Sequence, residues 1–481
     1  MIDIALIRSK VLEQAVTGEL SREFDSYVDS LVELREATNR NVEETVDDVP
    51  YELKEGWHWF ELAVLGSDDK HSFADGPFGS NLKKEHYTEN AEVRIIQLSN
   101  VGELGWKNEN VKYTTFEHLV TIQRSEVMAG NIVIAKMMPA GRAIIVPDME
   151  QKYVLSSDCV KFVPCEFLNV EYLCYAINSS MFRKQVLQDV HGIGRERTSL
   201  SKLKAYLLPI PCRAEQDYIV GKIGKAYEQL ALLDILQRQY SSDLEVLKSK
   251  IIDAGIQGKL TEQLPGDGTA EELLEQIAER QKELVQTGKI KKPKDIKTIS
   301  DEEIPFEIPD NWSWEKWGNV INVVSARRVH QSDWRKEGIP FYRAREIAKL
   351  AADGTVENDL FISQELFDEF SMDRVPQPGD LMVSAVGTLG KTYVVEEGDI
   401  FYYKDASVLC FENYGGLNPY YLRYLMQSSL MKNQIEGNSG GTTVDTLTMV
   451  RMIQYILPIP PLAEQTRIVG KIDEMLSIVQ G

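Results

Sequence analysis

The stretch SAVGTLGKTYVV (384–395) sets Ala385 five residues ahead of Gly390-Lys391-Thr392, the spacing of a relaxed phosphate-binding loop. Such a loop works when a helix begins directly after G-K-T, because the helix N-terminus and nested amides hold the phosphates. Here YVVEEGD comes next, β-branched residues and then a turn, so the sequence predicts a glycine turn between strands. The corresponding stretch of the first half, IVIAKMMPAGRAIIVP (132–147), keeps one glycine and one cation, Gly141-Arg142, and nothing else of the motif. Lys391 and Arg142 are therefore candidates for contact with nucleic acid, and ATP binding is not expected.

Other catalytic constellations are missing from the sequence. The six histidines lack ligand spacing and no H-E-x-x-H occurs. There is no G-x-S-x-G elbow, no G-x-G-x-x-G after a strand, and no N-P-P-Y run to handle a base amine. The chain reads as non-catalytic, with no metal and no cofactor of its own. Five cysteines without a C-x-x-C pair read as buried reduced thiols.

The chemistry left to the chain is binding. The loop DGPFGSNLKKEHY (75–87) combines glycines with Ser80, Asn81, Lys83 and Lys84. HGIGRERTSLSKLK (191–204) carries Arg195, Arg197 and Thr198. In the second half stand SARRVHQ with Arg327 and Arg328, FYRAREI with Arg343 and Arg345, and GNSGGTTVD with Thr442 and Thr443. Arginine forks suit guanine, Asn and Gln suit adenine, and lysines with glycine-flanked amides suit phosphates.

The net charge of −21 argues against a lone, tight, non-specific DNA binder. The distribution of that charge is uneven. Residues 1–49 and 214–310 each carry −7, whereas residues 50–213 total only −1. The first large block can thus carry local basic patches. No uncharged apolar run approaches bilayer-spanning length, and MIDIALIRSK has no signal-peptide core, so the expectation is a cytoplasmic protein without a membrane partner.

The elements that must position these residues come from a repeat. LLPIPCRAEQDYIVGKI (207–223) recurs as ILPIPPLAEQTRIVGKI (456–472), 249 residues on. The block openings match as well, PYELKEGWHWFEL (50–62) against PFEIPDNWSWEKW (305–317). A second match, SKVLEQAVTGEL (9–20) to SKIIDAGIQGKL (249–260), has an offset of 240. The repeat is therefore circularly arranged. The connector carries an apolar seam at Ile219, Ile223, Leu230, Leu233, Tyr240, Leu244, Leu247 and Ile251, with Gln237 as its polar interruption. Ile468, Ile472 and Met475 reproduce its start, and Ile4, Ile7 and Val11 its later part. The two chain ends together form a split second helix, antiparallel to the connector, lacking roughly 12 Å of helix near Gln237.

The predicted fold is α+β, with two pseudo-symmetric β-rich domains separated by two long antiparallel coiled-coil helices. The expected boundaries are 1–20 N-terminal helix, 21–49 acidic linker, 50–212 first domain, and 213–258 central helix. Then come 259–304, a linker with one short helix capped by Thr269 and ended by Gly288, 305–461 second domain, and 462–481 C-terminal helix. Residues 36–49 and the charged linker read as solvated spacers.

These features together resemble the DNA-specificity subunits of Type I restriction–modification systems. The resemblance rests on PIPCRAEQ, PIPPLAEQ, the run IIDAGIQGKLTEQLPGDGTAEELLEQIAERQKELVQTGKIKK, and EIPFEIPDNWSWEKW. DGPFGSNLK and VGTLGK are similar to turns of the family's target-recognition domains. The resemblance implies two target-recognition domains, each reading one half of a bipartite site in double-stranded DNA, with the helices setting the spacer. It implies two methylation subunits docked on those helices and restriction subunits added to them. S-adenosylmethionine, ATP and magnesium belong to those partners. A second reading is a specificity-type scaffold or protein–protein adaptor of another phage-defence system, and an adaptor would show no half-site preference.

Overall fold

A computed structural model describes residues 2–25, 27–137, 140–188, 197–291, 296–372, 375–437 and 446–480. The chain divides into two units, Met1–Arg238 and Gln239–Gly481.

In the first unit, His58–Glu61 pairs antiparallel with Leu207–Ile210, so the segment opening the β-rich part is stapled to the segment closing it. A four-stranded antiparallel sheet runs in the order Ala143–Ile145, Ile132–Ala135, Cys159–Phe162, Phe73–Asp75. In the second unit, Ser313–Lys316 pairs with Ile456–Ile459. Its four-stranded sheet has the order Thr392–Val394, Leu381–Ser384, Val408–Glu412, Asn322–Ser325. These are the same strands, 249 residues apart, in the same order. The units differ in what is inserted. The first adds a five-stranded sheet built around the parallel pair Val93–Ile96 and Lys152–Leu155. The second adds a three-stranded sheet and the helices Ala344–Asp353 and Gln364–Ser371.

The repeated A-E-Q explains how each β-rich part is fastened to its helix. Buried Glu215 accepts from the Trp57 indole at 3.0 Å and from Lys54 at 2.9 Å. Its counterpart Glu464 accepts from the Trp312 indole at 2.9 Å, with Thr261 and Gln263 at 2.9 and 3.0 Å. The glutamines bind backbone on both sides. Gln216 donates to the Pro211 carbonyl and accepts from the amide of Asn169, and Gln465 repeats this with Pro460 and Asn418. Each asparagine in turn caps the next helix. Buried polar groups of this kind persist only when satisfied, which accounts for the motif's residue types.

The helices obey the 240-residue offset. The N-terminal helix Ile4–Val16 is capped by Asp3 and places Leu12, Ala15 and Val16 against Ile219 and Ile223 in the first core. In the second unit Ile252, Gly255 and Ile256 take those places, against Ile468 and Ile472 of the C-terminal helix Leu462–Gln480. Gly18 and Gly258, both left-handed (φ 77° and 72°), come after the two helix ends and lie against Trp57 and Trp312.

Along the continuous helix Arg213–Ile256, Ile219, Ile223, Leu230 and Ile251 are buried, while Leu233 and Leu244 are half-buried. Ile4 is also buried, and Ile7, Val11 and Met475 are half-buried. Gln237 accepts from the Ile2 amide at 2.6 Å and donates to the Ile2 carbonyl, so the polar seam position holds the start of the N-terminal helix. The middle of the seam departs from a covered coiled coil. Tyr240 is 62% and Leu247 44% exposed, beside exposed Leu232, Ile235 and Leu236.

The two linkers are not solvated spacers. The helix Ala270–Gln286 has the expected Thr269 cap, closed into a capping box by Glu272, but Leu273 and Ile277 are buried in the second core. Their spacing makes an apolar stripe that the charged composition concealed. Residues 21–49 contain the helix Ser30–Thr38 with Leu34 fully buried, and Val42 joins the same core.

Candidate nucleic-acid interface

The glycine turns stand at equivalent places. In the first unit the Ala135 amide donates to the Arg142 carbonyl and the Gly141 amide to the Ala135 carbonyl. In the second, Ser384 with Lys391 and Gly390 with Ser384 make the same two bonds. Directly after Lys391 the chain enters the strand Thr392–Val394, with no helix to cradle a nucleotide. Each turn is also tied to a further stretch, in the first unit a candidate segment and in the second the residues directly after one. Met137 bridges Arg197, and Thr198 donates to the Lys136 carbonyl at 2.9 Å. Likewise Val386 bridges Thr446, and Leu447 donates to the Ala385 carbonyl at 3.0 Å. Arg195, Thr442 and Thr443 lie outside the described residues.

In the first unit these tethers produce a cleft of about 330 Å³ lined by Asp75, Phe78, Lys136, Arg197, Thr198 and Lys202 among others. At its base Lys136 bonds Asp75 at 2.5 Å, and both side chains are largely buried. Thr198 is buried. Arg197 is half exposed and donates to the Ser157 carbonyl at 3.2 Å, close to Asp158. Ser80, Asn81, Lys83 and Lys84 are all exposed on the neighbouring loop. The loop is held from beneath: the His118 ring contacts the Asn81 carbonyl at 2.8 Å and stacks on His86. Lys83 faces Glu85 at 3.6 Å, a weak exposed pair. Phe78 stands 66% exposed at the cleft edge, an apolar ring among polar readers. Phe78 and the Lys136–Asp75 pair escaped the sequence reading, because neither residue type stands out without the fold.

In the second unit the arginines divide. Arg343 donates to Glu346 at 2.9 and 3.1 Å and to Asp359 at 2.9 Å. Arg345 joins the same two carboxylates. Burial alone would raise the Glu346 carboxyl, but bonds from Arg343 and Arg345 outweigh it and hold the group below its usual range. Asp359 is held down chiefly by its bond from Arg345. Both guanidinium forks are thus spoken for within the chain. Arg327 pairs with Glu369 at 3.2 Å and lies 4.2 Å over the Phe370 ring. Exposed Arg328 and Lys391 have no ion-pair partner among the described residues.

No group of His, Cys, Asp or Glu among the described residues could hold a metal ion. No described helix is long and apolar enough to cross a membrane.

Each unit thus presents an equivalent sheet with a tethered glycine turn and a loop of candidate readers. Residues 309–479 match the family model of the Type I restriction modification DNA specificity domain, and the whole chain is similar to Type I specificity subunits. Among curated proteins it is 23% identical to the Type I restriction enzyme EcoAI specificity subunit of Escherichia coli, over 89% of this chain and 79% of that protein. The EcoEI specificity subunit of Escherichia coli is 21% identical, over 90% and 80% of the two chains. A chain solved in work on complex assembly and conformational transition of the type I R-M system shares the fold. Its TM-score is 0.52 at 17% identity, covering 90% of this chain and 93% of that one.

Proposed function

We propose that this chain is the non-catalytic DNA-reading subunit of a Type I restriction–modification complex, each β-rich unit reading one half of a bipartite site in double-stranded DNA. The observation that carries this reading is the duplicated sheet with unlike insertions. The shared strands, turns and A-E-Q clamps give both heads one docking geometry, and the differing inserted sheets give each its own base preference. Half-site spacing is set by the distance between reading elements, a role that suits the continuous helix Arg213–Ile256. The exposed apolar residues Leu232, Ile235 and Leu236 fit a docking face for methylation subunits, to which restriction subunits are added. S-adenosylmethionine, ATP and magnesium then serve those partners. A cytoplasmic location suits that role.

The test is a map of modified bases after co-production with the cognate methylation subunits. A bipartite adenine-methylated motif with a constant spacer is expected. Absence of any such motif favours an adaptor role instead.

A further inference from the structure

Three cations recur at equivalent positions in the two units, and only one from each set, Lys391 and Arg142, stands among the candidate nucleic-acid contacts named from the sequence. In the second unit, Lys248 of the long helix, Lys391 of the glycine turn and Lys432 of the helix Ser429–Gly437 line one cleft of about 750 Å³, together with Arg423. In the first unit the two offsets turn these lysines into Arg8, Arg142 and Arg183. Arg8 lies on the N-terminal helix, which packs against the helix Ser180–Gln188 that bears Arg183. Burial pushes the Arg183 guanidinium down first, and the positive charge of Arg142 beside it pushes it down further.

The cations are only partly used within the chain: Arg8 lies 5.6 Å over the Tyr227 ring and Arg423 donates to the Ala351 carbonyl at 3.3 Å. The Nε atoms of Arg8, Arg142, Arg183 and Arg423 are buried without a hydrogen-bond partner. Lys391 and Lys432 are exposed, with no partner for their ammonium groups among the described residues. Two carboxylates share the second cleft, Glu245 and Glu436, and Glu245 takes up Lys248 at 2.9 Å. Against four cations they leave a net positive site in a chain whose overall charge is −21. The turn also admits close approach. Gly387 and Gly390 are left-handed (φ 73° and 75°), and a Cβ added at Gly387 would meet nothing within 4 Å.

Like-charged groups that share one cleft in the second unit, and that recur in the first as Arg142 beside Arg183 with Arg8 on the helix packed against it, call for an anion from outside the chain, even with Glu103 acting on Arg183. Resting on the DNA-reading function, we propose that Lys248, Lys391 and Lys432, and in the first unit Arg8, Arg142 and Arg183, each form a clamp on DNA backbone phosphates. The clamp is sequence-independent. It sits on the repeated part of the fold, where helix, turn and following helix meet, whereas the unlike insertions read bases. Phosphate contacts fix register and orientation without carrying sequence information. Lys391 would thus meet a phosphate after all, that of the DNA backbone.

The experiment uses the full chain assembled with its methylation subunits and the triple variant K248A/K391A/K432A, with K391R/K432R as the charge-preserving control. Binding to duplex DNA bearing the mapped site is measured across a salt series. Each lost phosphate contact lowers the slope of log K against log salt by about 0.9. Three lost contacts lower it by about 2 to 3, and weaken binding on the order of 100-fold near 0.15 M salt. The methylated motif stays the same, and the arginine control keeps the parent slope. An unchanged slope in the alanine variant, with the parent complex binding its site, overturns the clamp. So does a changed base preference in either half of the motif. A parent complex that prefers no bipartite site removes the DNA-reading function itself, and the clamp with it.

Discussion

Replacing Glu464 with alanine removes the acceptor around which the second unit closes. Glu464 is fully buried, and its carboxylate serves the Trp312 indole, Thr261 and Gln263. Trp312 is itself buried, so its N–H would be left without this partner in the core. An orphaned buried donor costs about 1–3 kcal/mol, and hydrogen bonds to a charged group contribute about 1.5–3 kcal/mol. Thr261 and Gln263 can turn to solvent, so a total near 3 kcal/mol is expected rather than the full sum. For a unit of this size that lowers Tm by roughly 6–12 °C. Glu464→Gln keeps one acceptor oxygen and should cost less than half as much. Scanning calorimetry reads the shift, and amide exchange localises it. Protection should fall in Gln239–Gly481 and persist in the β-rich part of Met1–Arg238. A variant melting within a degree of the parent, or losing protection equally in both units, refutes the clamp role assigned to A-E-Q.

Other consequences are open to measurement. Deleting one heptad from 231–250 removes about 10.5 Å of helix; the methylated motif should keep both halves and lose about three base pairs of spacer, and a changed half-site contradicts the spacer role proposed for the helix. Glu346 and Asp359 are both held below their usual range in the folded chain, so their network stabilises at neutral pH and is lost as pH falls below about 4. The Tm difference between the parent and R345A should therefore shrink on acidification, and a difference that grows contradicts the assignment. Burial pushes the thiols of Cys159 and Cys174 up to about 12. Neither should react with iodoacetamide at pH 8 until the chain unfolds, and rapid native labelling would contradict their burial.

The repeat alone made most of the architecture legible. PIP-x-x-AEQ at a constant offset located the closing strands, and the 240-residue offset placed both helix ends. Strand order in the shared sheets is common to both units because equivalent residues occupy equivalent strands. The inserted sheets were not legible, since short strands such as Tyr402–Tyr403 lack a readable alternation and depend on long-range pairing. The helix Ala270–Gln286 was foreseen through Thr269, but its burial was not, because the many charged residues around them masked the stripe of Leu273 and Ile277. For the interface, basic residues could be named but their availability could not. Arg343 and Arg345 look alike to Arg328 in sequence, yet Asp359, fourteen residues past Arg345, occupies their forks. The clamp cations Arg183 and Lys432 were visible only by laying the two copies side by side.

The most direct measurement exchanges residues 305–461 for the matching segment of a related specificity subunit and maps the modified bases. One half of the motif should change, with the other half and the spacer kept. Alteration of both halves, or of neither, contradicts two independent reading heads.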